Sequence, residues 1–334
     1  MVTEVPCRQE FARIAGVLGG CKNVVILEHE KPDGDCIGSG LALALALAFL
    51  GKRGVLLSHD PHPGMYDFMP GRHFHTTVSS FKPEDFDADV AIFLDCTGPH
   101  RVGAALEFAK GKPWINIDHH VSNSQFGDIN LVGPDASATG ELVFFLLKEL
   151  GVPVTPKIAT CLYVAIATDT GGFRYQNTSP RAFHVAAELI DAGANPSQVA
   201  DYLYEARTLS SIVLLRSALH TLALHNGGKV ASVEVTAEMI KDAGALFEET
   251  EGIIDYPRSI AGVEVSLCFK QNEDRTGVHV SLRSRSRVDV SAIAASLGGG
   301  GHPRAAGVFI QGTLEETKAR VFELLSEPEI WTDF

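Results

Sequence analysis

The chain has 334 residues, 45% hydrophobic and 21% charged, the composition of a soluble globular protein long enough to bury two separate cores. Its 28 basic against 41 acidic residues leave a formal charge of −13, which excludes sequence-independent binding of long nucleic acid through a broad basic surface. The six cysteines, at 7, 21, 36, 96, 161 and 268, form no Cys-x-x-Cys pair and read as the reduced structural thiols of a cytoplasmic protein rather than a disulfide frame.

Met1 to Arg13 mixes acids and bases and lacks the apolar core of a signal peptide. Asn23 to Glu28 predicts a strand, followed by His29 and the turn Pro32-Asp33-Gly34-Asp35. The apolar run Ile37 to Leu50 is too short to span a bilayer. Its leucines at 41, 43, 45 and 47 alternate as in a strand, but the alanines between them, the length and Gly51 as a stop favour a helix over 36–50. Gly54 to Ser58, Ala88 to Leu94 and Pro113 to Ile117 predict further strands, and this alternation implies βαβ units around a mostly parallel sheet. His59, His62, His73 and His75 lie in a loop with no matching acidic ligand pattern and are assigned no ligand.

Pro156 to Thr168 has the apolar spacing of one helix face and delivers Asp169 at its end. Ser179-Pro180 reads as N-cap and first residue of a helix that Gly193 stops. Asn195-Pro196 marks a turn, so the linker is expected at 193–205, followed by a long helix through about Leu224. Strands at Lys229 to Val235, Gly262 to Phe269, Val278 to Arg283 and Ala306 to Ile310, with helices near 237–247, 289–297 and Leu314 to Ser326, complete a second α/β unit. The expected architecture is α/β in two domains: 1–192 with a mostly parallel sheet flanked by helices, a linker at 193–205, and a smaller α/β domain over 206–334.

His29, Asp95 and Asp118 each sit just beyond a predicted strand's carboxyl end, the edge at which open α/β sheets bind ligands. With Asp33, Asp35, His119, His120 and Asp169 they make eight acid and imidazole groups. Five carboxylates cannot share a pocket without cations, because each raises the cost of ionising the next. Carboxylate oxygen with a minority of imidazole suits Mn²⁺ or Mg²⁺, and two adjacent divalent ions serve phosphoryl transfer. Further along, Gly298-Gly299-Gly300-Gly301-His302 with Arg304 can cradle an anion on backbone N–H groups. Arginines at 283, 285 and 287 alternate, hence share one strand face if the strand continues that far, and can grip short polyanions.

In these motifs the chain resembles the DHH phosphoesterase family. His29 with Asp33-Gly34-Asp35, then Asp95, Asp118-His119-His120 and Asp169, follow the order of its amino-terminal motifs, and Gly298 to His302 with Ala305-Ala306-Gly307 resembles the signature of its associated carboxyl-terminal domain. The resemblance implies one metal on His29, Asp33 and Asp95 and a second on Asp35, Asp95, His119 and Asp169, with Asp95 bridging and Mn²⁺ expected ahead of Mg²⁺ or Co²⁺. A hydroxide activated by both ions would attack phosphorus in line. Asp118, orienting His119 or His120, and His120, meeting substrate phosphate, are the further catalytic residues. Arg283 is implied as a substrate contact, joined by Gly299, Gly300, Gly301, His302 and Arg304, with Arg258 and Arg101 as weaker candidates. Because the signature, the single-chain length and the absence of added modules differ from other branches, the resemblance points to the stand-alone bacterial enzymes that degrade oligoribonucleotides of a few residues and dephosphorylate 3′-phosphoadenosine 5′-phosphate. Cleavage of cyclic di-AMP or pApA is the alternative, and a nucleotide sensor the non-enzymatic one. Expected partners are short RNA or small nucleotides, with no long nucleic acid and no membrane, and a homodimer is the oligomer considered.

Overall fold

The computed structural model describes residues 8–82, 84, 86–205 and 207–331, so Met1 to Cys7 lie outside the described residues. The chain forms two compact units that divide at 206/207. The first contains α1 (Arg8–Gly20), β1 (Asn23–Leu27), α2 (Gly34–Phe49), β2 (Arg53–Ser58), β3 (His75–Thr77), β4 (Val90–Leu94), β5 (Trp114–Asp118), β6 (Ile129–Val132), α3 (Thr139–Glu149), α4 (Pro156–Asp169), α5 (Pro180–Asp191) and α6 (Pro196–Ala200). Its six strands are all parallel, in the order β3-β2-β1-β4-β5-β6. The order reverses between β1 and β4, and that switch point is where an open α/β sheet leaves a crevice beyond its strand ends. His29 follows β1 and Asp95 follows β4, so topology alone sets these two side by side.

The leucine-rich segment is helical, and it is buried around nearly its whole circumference, which is why its sequence carries no amphipathic period. A Cβ on Gly38 would stand 2.4 Å from the Cys161 carbonyl oxygen, and one on Gly34 2.5 Å from Thr168 Cγ2. Glycine at these positions therefore lets α4 lie directly on α2. That contact carries Asp169, the last residue of α4, toward Asp35 in the first turn of α2. Residues 193–205, read from sequence as a linker, carry α6 and a π-turn over Asp201–Glu205, with Val199 and Leu203 buried in the core of the first unit.

The second unit contains α7 (Leu209–His220), β7 (Ala223–His225), β8 (Val230–Val235), α8 (Ala237–Ala243), α9 (Asp255–Ser259), β9 (Val265–Gln271), β10 (Gly277–Ser284), α10 (Val290–Ser296), β11 (Gly300–His302), β12 (Ala305–Gln311) and α11 (Leu314–Leu325). Its sheet runs β11-β12-β10-β9-β8-β7 and is mixed, with β8 and β9 parallel and the other pairs antiparallel. The helix expected through Leu224 ends at His220, because 223–225 instead pair with β8 as an edge strand. The glycine run is likewise not a free loop, since Gly300 to His302 hydrogen-bond to β12. Among the described residues no helix is long and apolar enough to cross a membrane.

Candidate metal centre

Asp95 organises the site. Its φ of +54° lies in the left-handed region, which aspartate and asparagine tolerate better than other side chains, and this turn directly after β4 aims the carboxylate into the crevice. Oδ2 lies 3.6 Å from His29 Nε2, while Oδ1 lies 3.7 Å from His119 Nε2 and 3.4 Å from His120 Nδ1. One carboxylate thus presents an oxygen to each of two donor groups. On the first side His29 Nε2 is also 3.9 Å from Asp33 Oδ1. On the second, His119 Nε2 is 3.7 Å from Asp35 Oδ2 and 3.6 Å from Asp169 Oδ2. These separations are too long for hydrogen bonds, and they suit donors that each stand about 2.0–2.2 Å from a shared ion.

The His29 and His119 rings are each held by a backbone carbonyl. His29 Nδ1 is 2.8 Å from the Glu30 carbonyl and His119 Nδ1 is 3.2 Å from the Ala136 carbonyl. A carbonyl only accepts, so each Nδ1 carries a proton, and Nε2 is the nitrogen that faces the carboxylates and can take either a further proton or an ion. Asp33 has two tasks, because Oδ1 also caps α2 by accepting from the backbone of Asp35 and Cys36 at 3.1 Å. The turn-residue and ligand readings of Asp33 are therefore compatible.

Neutral residues hold the acids in place. Asp35 accepts from Thr139 N at 2.7 Å, Gly140 N at 2.9 Å and Ser39 Oγ at 3.1 Å. The N-cap residue of α3 is Ala138, which has no side-chain cap to offer, so Asp35 of another helix takes that part. Thr139 Oγ1 donates to Asp95 Oδ1 at 2.9 Å, and Asn177 Nδ2 donates to Asp169 Oδ2 at 3.1 Å. Asp118 is wholly buried; Oδ1 accepts from His120 Nδ1 at 2.7 Å and Oδ2 from Asn123 at 2.6 Å, so its side chain orients His120 rather than the His119 ring. Ser39, Asn123, Thr139 and Asn177 were not legible in the sequence, because neutral polar side chains carry no ligand signature. The one available signal was an alanine where α3 needs a cap. Thr139→Val is expected to weaken metal affinity about tenfold through loss of one buried hydrogen bond to a charged group, and Thr139→Ser to restore it, as read by titration calorimetry.

The crowded acids and imidazoles shift one another's protonation. Burial raises Asp35 well above the ordinary carboxylate range, and the charges of Asp95 and Asp169 push the same way. Burial likewise moves Asp169 up to about 6, against the pull of His119. Burial would also raise Asp95, but the His29 contact and the charges of His120 and His119 outweigh it and hold that carboxyl low. For His119 and His120 burial favours the neutral ring, yet the neighbouring carboxylates win and both are raised. A site that recruits protons onto its histidines and two of its acids has the charge deficit that divalent cations fill.

The anion-contact candidates are placed less uniformly. Arg101 is exposed in the first unit, with its carbonyl accepting from Glu30 N at 2.7 Å beside His29. In the second unit Arg283 stands on the sheet face opposite the core residue Leu282, together with His279 and Ser281. The arginine row stops there, because Glu264 accepts from the backbone of Ser286, Arg287 and Val288 and folds them into a turn. Arg285 then donates to the Arg258 carbonyl at 3.1 Å, and Arg304 donates to the Val288 carbonyl at 2.8 Å. Gly299 and Gly301 are needed for packing, since a Cβ on either would meet the backbone of β12 within 2.6 Å. Around Gly300 there is open space, and His302 follows it as the last residue of β11.

The model of the DHH family N-terminal domain matches residues 23–166, and that of the DHHA1 domain matches 227–327. A bifunctional oligoribonuclease and PAP phosphatase, NrnA, of Thermus thermophilus is 38% identical over 307 residues, which is 91% of this chain and 89% of the relative. The chain belongs to the DHH family. That family of phosphoesterases is metal-dependent, in keeping with the acid and imidazole groups gathered here. A second DHH relative, the NrnA of Bacillus subtilis, is 25% identical and covers 86% of this chain and 89% of its own. The crystal structure of an exopolyphosphatase-related protein from Bacteroides fragilis superposes with a TM-score of 0.89 at 27% identity over 97% of each chain. The DHH match lies within the first unit and the DHHA1 match within the second.

Proposed function

We propose that this chain is a hydrolase that cleaves oligoribonucleotides of a few residues to mononucleotides and converts 3′-phosphoadenosine 5′-phosphate to AMP, using two divalent ions. The observation that carries the reading is the double-facing carboxylate of Asp95, with His29 and Asp33 on one side and Asp35, His119 and Asp169 on the other. The substrate class follows relatives of that printed activity matching nearly end to end. His29, Asp33 and Asp95 would hold one ion and Asp35, Asp95, His119 and Asp169 the other, and the oxygen-rich donor set favours Mn²⁺. Bound there, the ions supply charge neutralisation for phosphate oxygens and a lowered pKa for the attacking water. Asp118 Oδ1 accepts a hydrogen bond from His120 Nδ1–H, so Nε2 is the nitrogen that would meet a phosphate oxygen or give a proton to the leaving group. Arg283, the space at Gly300, and His302 would grip substrate phosphate, with Gly299, Gly301 and Arg304 shaping that surface. Unpaired buried thiols at Cys36, Cys96, Cys161 and Cys268 support a reducing cytoplasm.

Steady-state kinetics with Mn²⁺ test this reading on RNA of about two to five residues against strands of about twelve and twenty-four, with 3′-phosphoadenosine 5′-phosphate, pApA and cyclic di-AMP alongside. Short RNA should give the highest kcat/KM, because distal phosphates of a long strand meet an acidic surface. Arg283→Ala and His302→Ala should each raise KM on dinucleotides about tenfold while both ions stay bound. Equal or better kcat/KM on the longest strands would overturn the short-substrate reading, and turnover confined to cyclic di-AMP and pApA would replace it.

A further inference from the structure

Glu28, the residue before His29, is wholly buried, and Oε2 lies 2.7 Å from His62 Nε2. Among the described residues neither Glu28 Oε1 nor His62 Nδ1 has a hydrogen-bond partner, although both atoms are shut off from solvent. The His75 ring stacks on His62 with centroids 3.5 Å apart. Ser58 Oγ gives its proton to the Asp60 carbonyl at 2.6 Å, so its 2.8 Å contact with His75 Nε2 uses the ring's proton. His75 Nδ1 is therefore a lone pair. If His62 is neutral and donates through Nε2 to Glu28, its Nδ1 is a second buried lone pair; if it is charged, Nδ1–H is a buried donor with no acceptor. Either protonation state leaves a buried polar atom unmet, beside a buried carboxylate whose Oε1 has no hydrogen-bond partner among the described residues.

We propose that Glu28, His62 and His75 form a second cation site of zinc type, distinct from the carboxylate-rich centre. One donor atom from each residue lies within 4.8 Å of the other two. Two imidazoles with one carboxylate are a zinc donor set, whereas the neighbouring centre is dominated by oxygen and suits a harder ion. On binding, the ion takes the place of the proton that His62 Nε2 shares with Glu28: a charged ring releases that proton to solvent and keeps the one on Nδ1, whereas a neutral ring moves its single proton from Nε2 to Nδ1 and releases none. His75, the least enclosed of the three, turns out of the stack to present its lone pair while its Nε2–H still donates to Ser58. The bound ion would pin the 59–63 turn and β3 to the end of β1, one residue from His29. Sequence reasoning assigned these histidines no ligand because the acid that meets them lies 34 residues before His62.

The test uses the full-length protein carrying Asp35→Asn and Asp95→Asn, stripped with chelator, supplied with Zn²⁺ and dialysed. Zinc is counted by mass spectrometry and its donors are read by X-ray absorption at the zinc edge. About one zinc per chain should be retained, with imidazole donors, and His75→Phe, which preserves the stacked ring, should lower zinc affinity at least about tenfold. No retained zinc would overturn the proposal, as would affinity unchanged by both His75→Phe and His62→Phe. Should His62→Phe fail to fold, the absorption spectra before and after His75→Phe decide, and loss of no imidazole donor counts against the site.

Discussion

Asp95→Asn should lower kcat for phosphoester hydrolysis by on the order of 10⁴-fold and leave the folded protein unable to hold two ions together. Asparagine is the informative replacement, because it keeps the size of the side chain and tolerates the left-handed φ of +54° at this position. Its amide oxygen can still accept from Thr139 Oγ1, so the local fold has no reason to shift. What changes is the second oxygen, which becomes an NH₂ group without a lone pair for the opposite ion. The cluster also loses the negative charge that two cations would share. Metal content and circular dichroism measured on the same sample separate loss of the bridge from loss of the fold. Two retained ions, or turnover within tenfold of the parent chain, would sink the assignment of Asp95 as the shared ligand.

Stripping the ions should lower the melting temperature, and more at pH 8 than at pH 5.5. Asp169 is raised to about 6 and Asp35 is raised in the same direction, chiefly by burial. A carboxyl whose folded pKa exceeds its unfolded value stabilises while it holds a proton, so this contribution is complete below about pH 4 and gone once the pH passes the folded value. His119 and His120 are raised as well, and their contribution is complete below about pH 6.5 and lost above their folded values. Asp95, held low, works in the opposite sense, but its contribution is lost only in stronger acid and does not enter this comparison. The stripped protein is thus stabilised by protons at pH 5.5 and bears unneutralised carboxylates at pH 8, where cations relieve the most repulsion and compete with the fewest protons. Differential scanning fluorimetry with and without chelator should show a drop on the order of 5 °C at pH 8 and less than half of that at pH 5.5. An equal drop at both pH values would mean that the ions do not replace these protons.

Much of this was readable from residue order. The strands at 23–27, 90–94 and 114–118 and the helices at 34–49 and 156–169 follow from short β-rich runs, stop residues and end signals that act locally, so a linear reading reaches them. The ligand candidates were legible for a related reason. Charged residues placed at the ends of apolar strands are hard to explain by packing, and an acid as the last residue of α4 opposes the helix dipole. Edge strands were not readable. His75 to Thr77 and Ala223 to His225 are three residues each, too short for a period, and their pairing is set by the exposed backbone of the strand beside them.

The sequence by itself determined the two-unit α/β class, the eight acid and imidazole groups and their family, because these rest on chain-local chemistry and motif order. Only the tertiary structure decided how the groups face one another: the carboxylate of Asp95 turned to both sides by a left-handed residue, Asp35 capping α3 across a gap of 104 residues, and Glu28 buried against two histidines to which the sequence assigns no ligand. Those contacts join positions far apart in the chain. The reason is that the close approach of α4 to α2 over Gly34 and Gly38, and the reversal of strand order between β1 and β4, set distances that no spacing along the chain records.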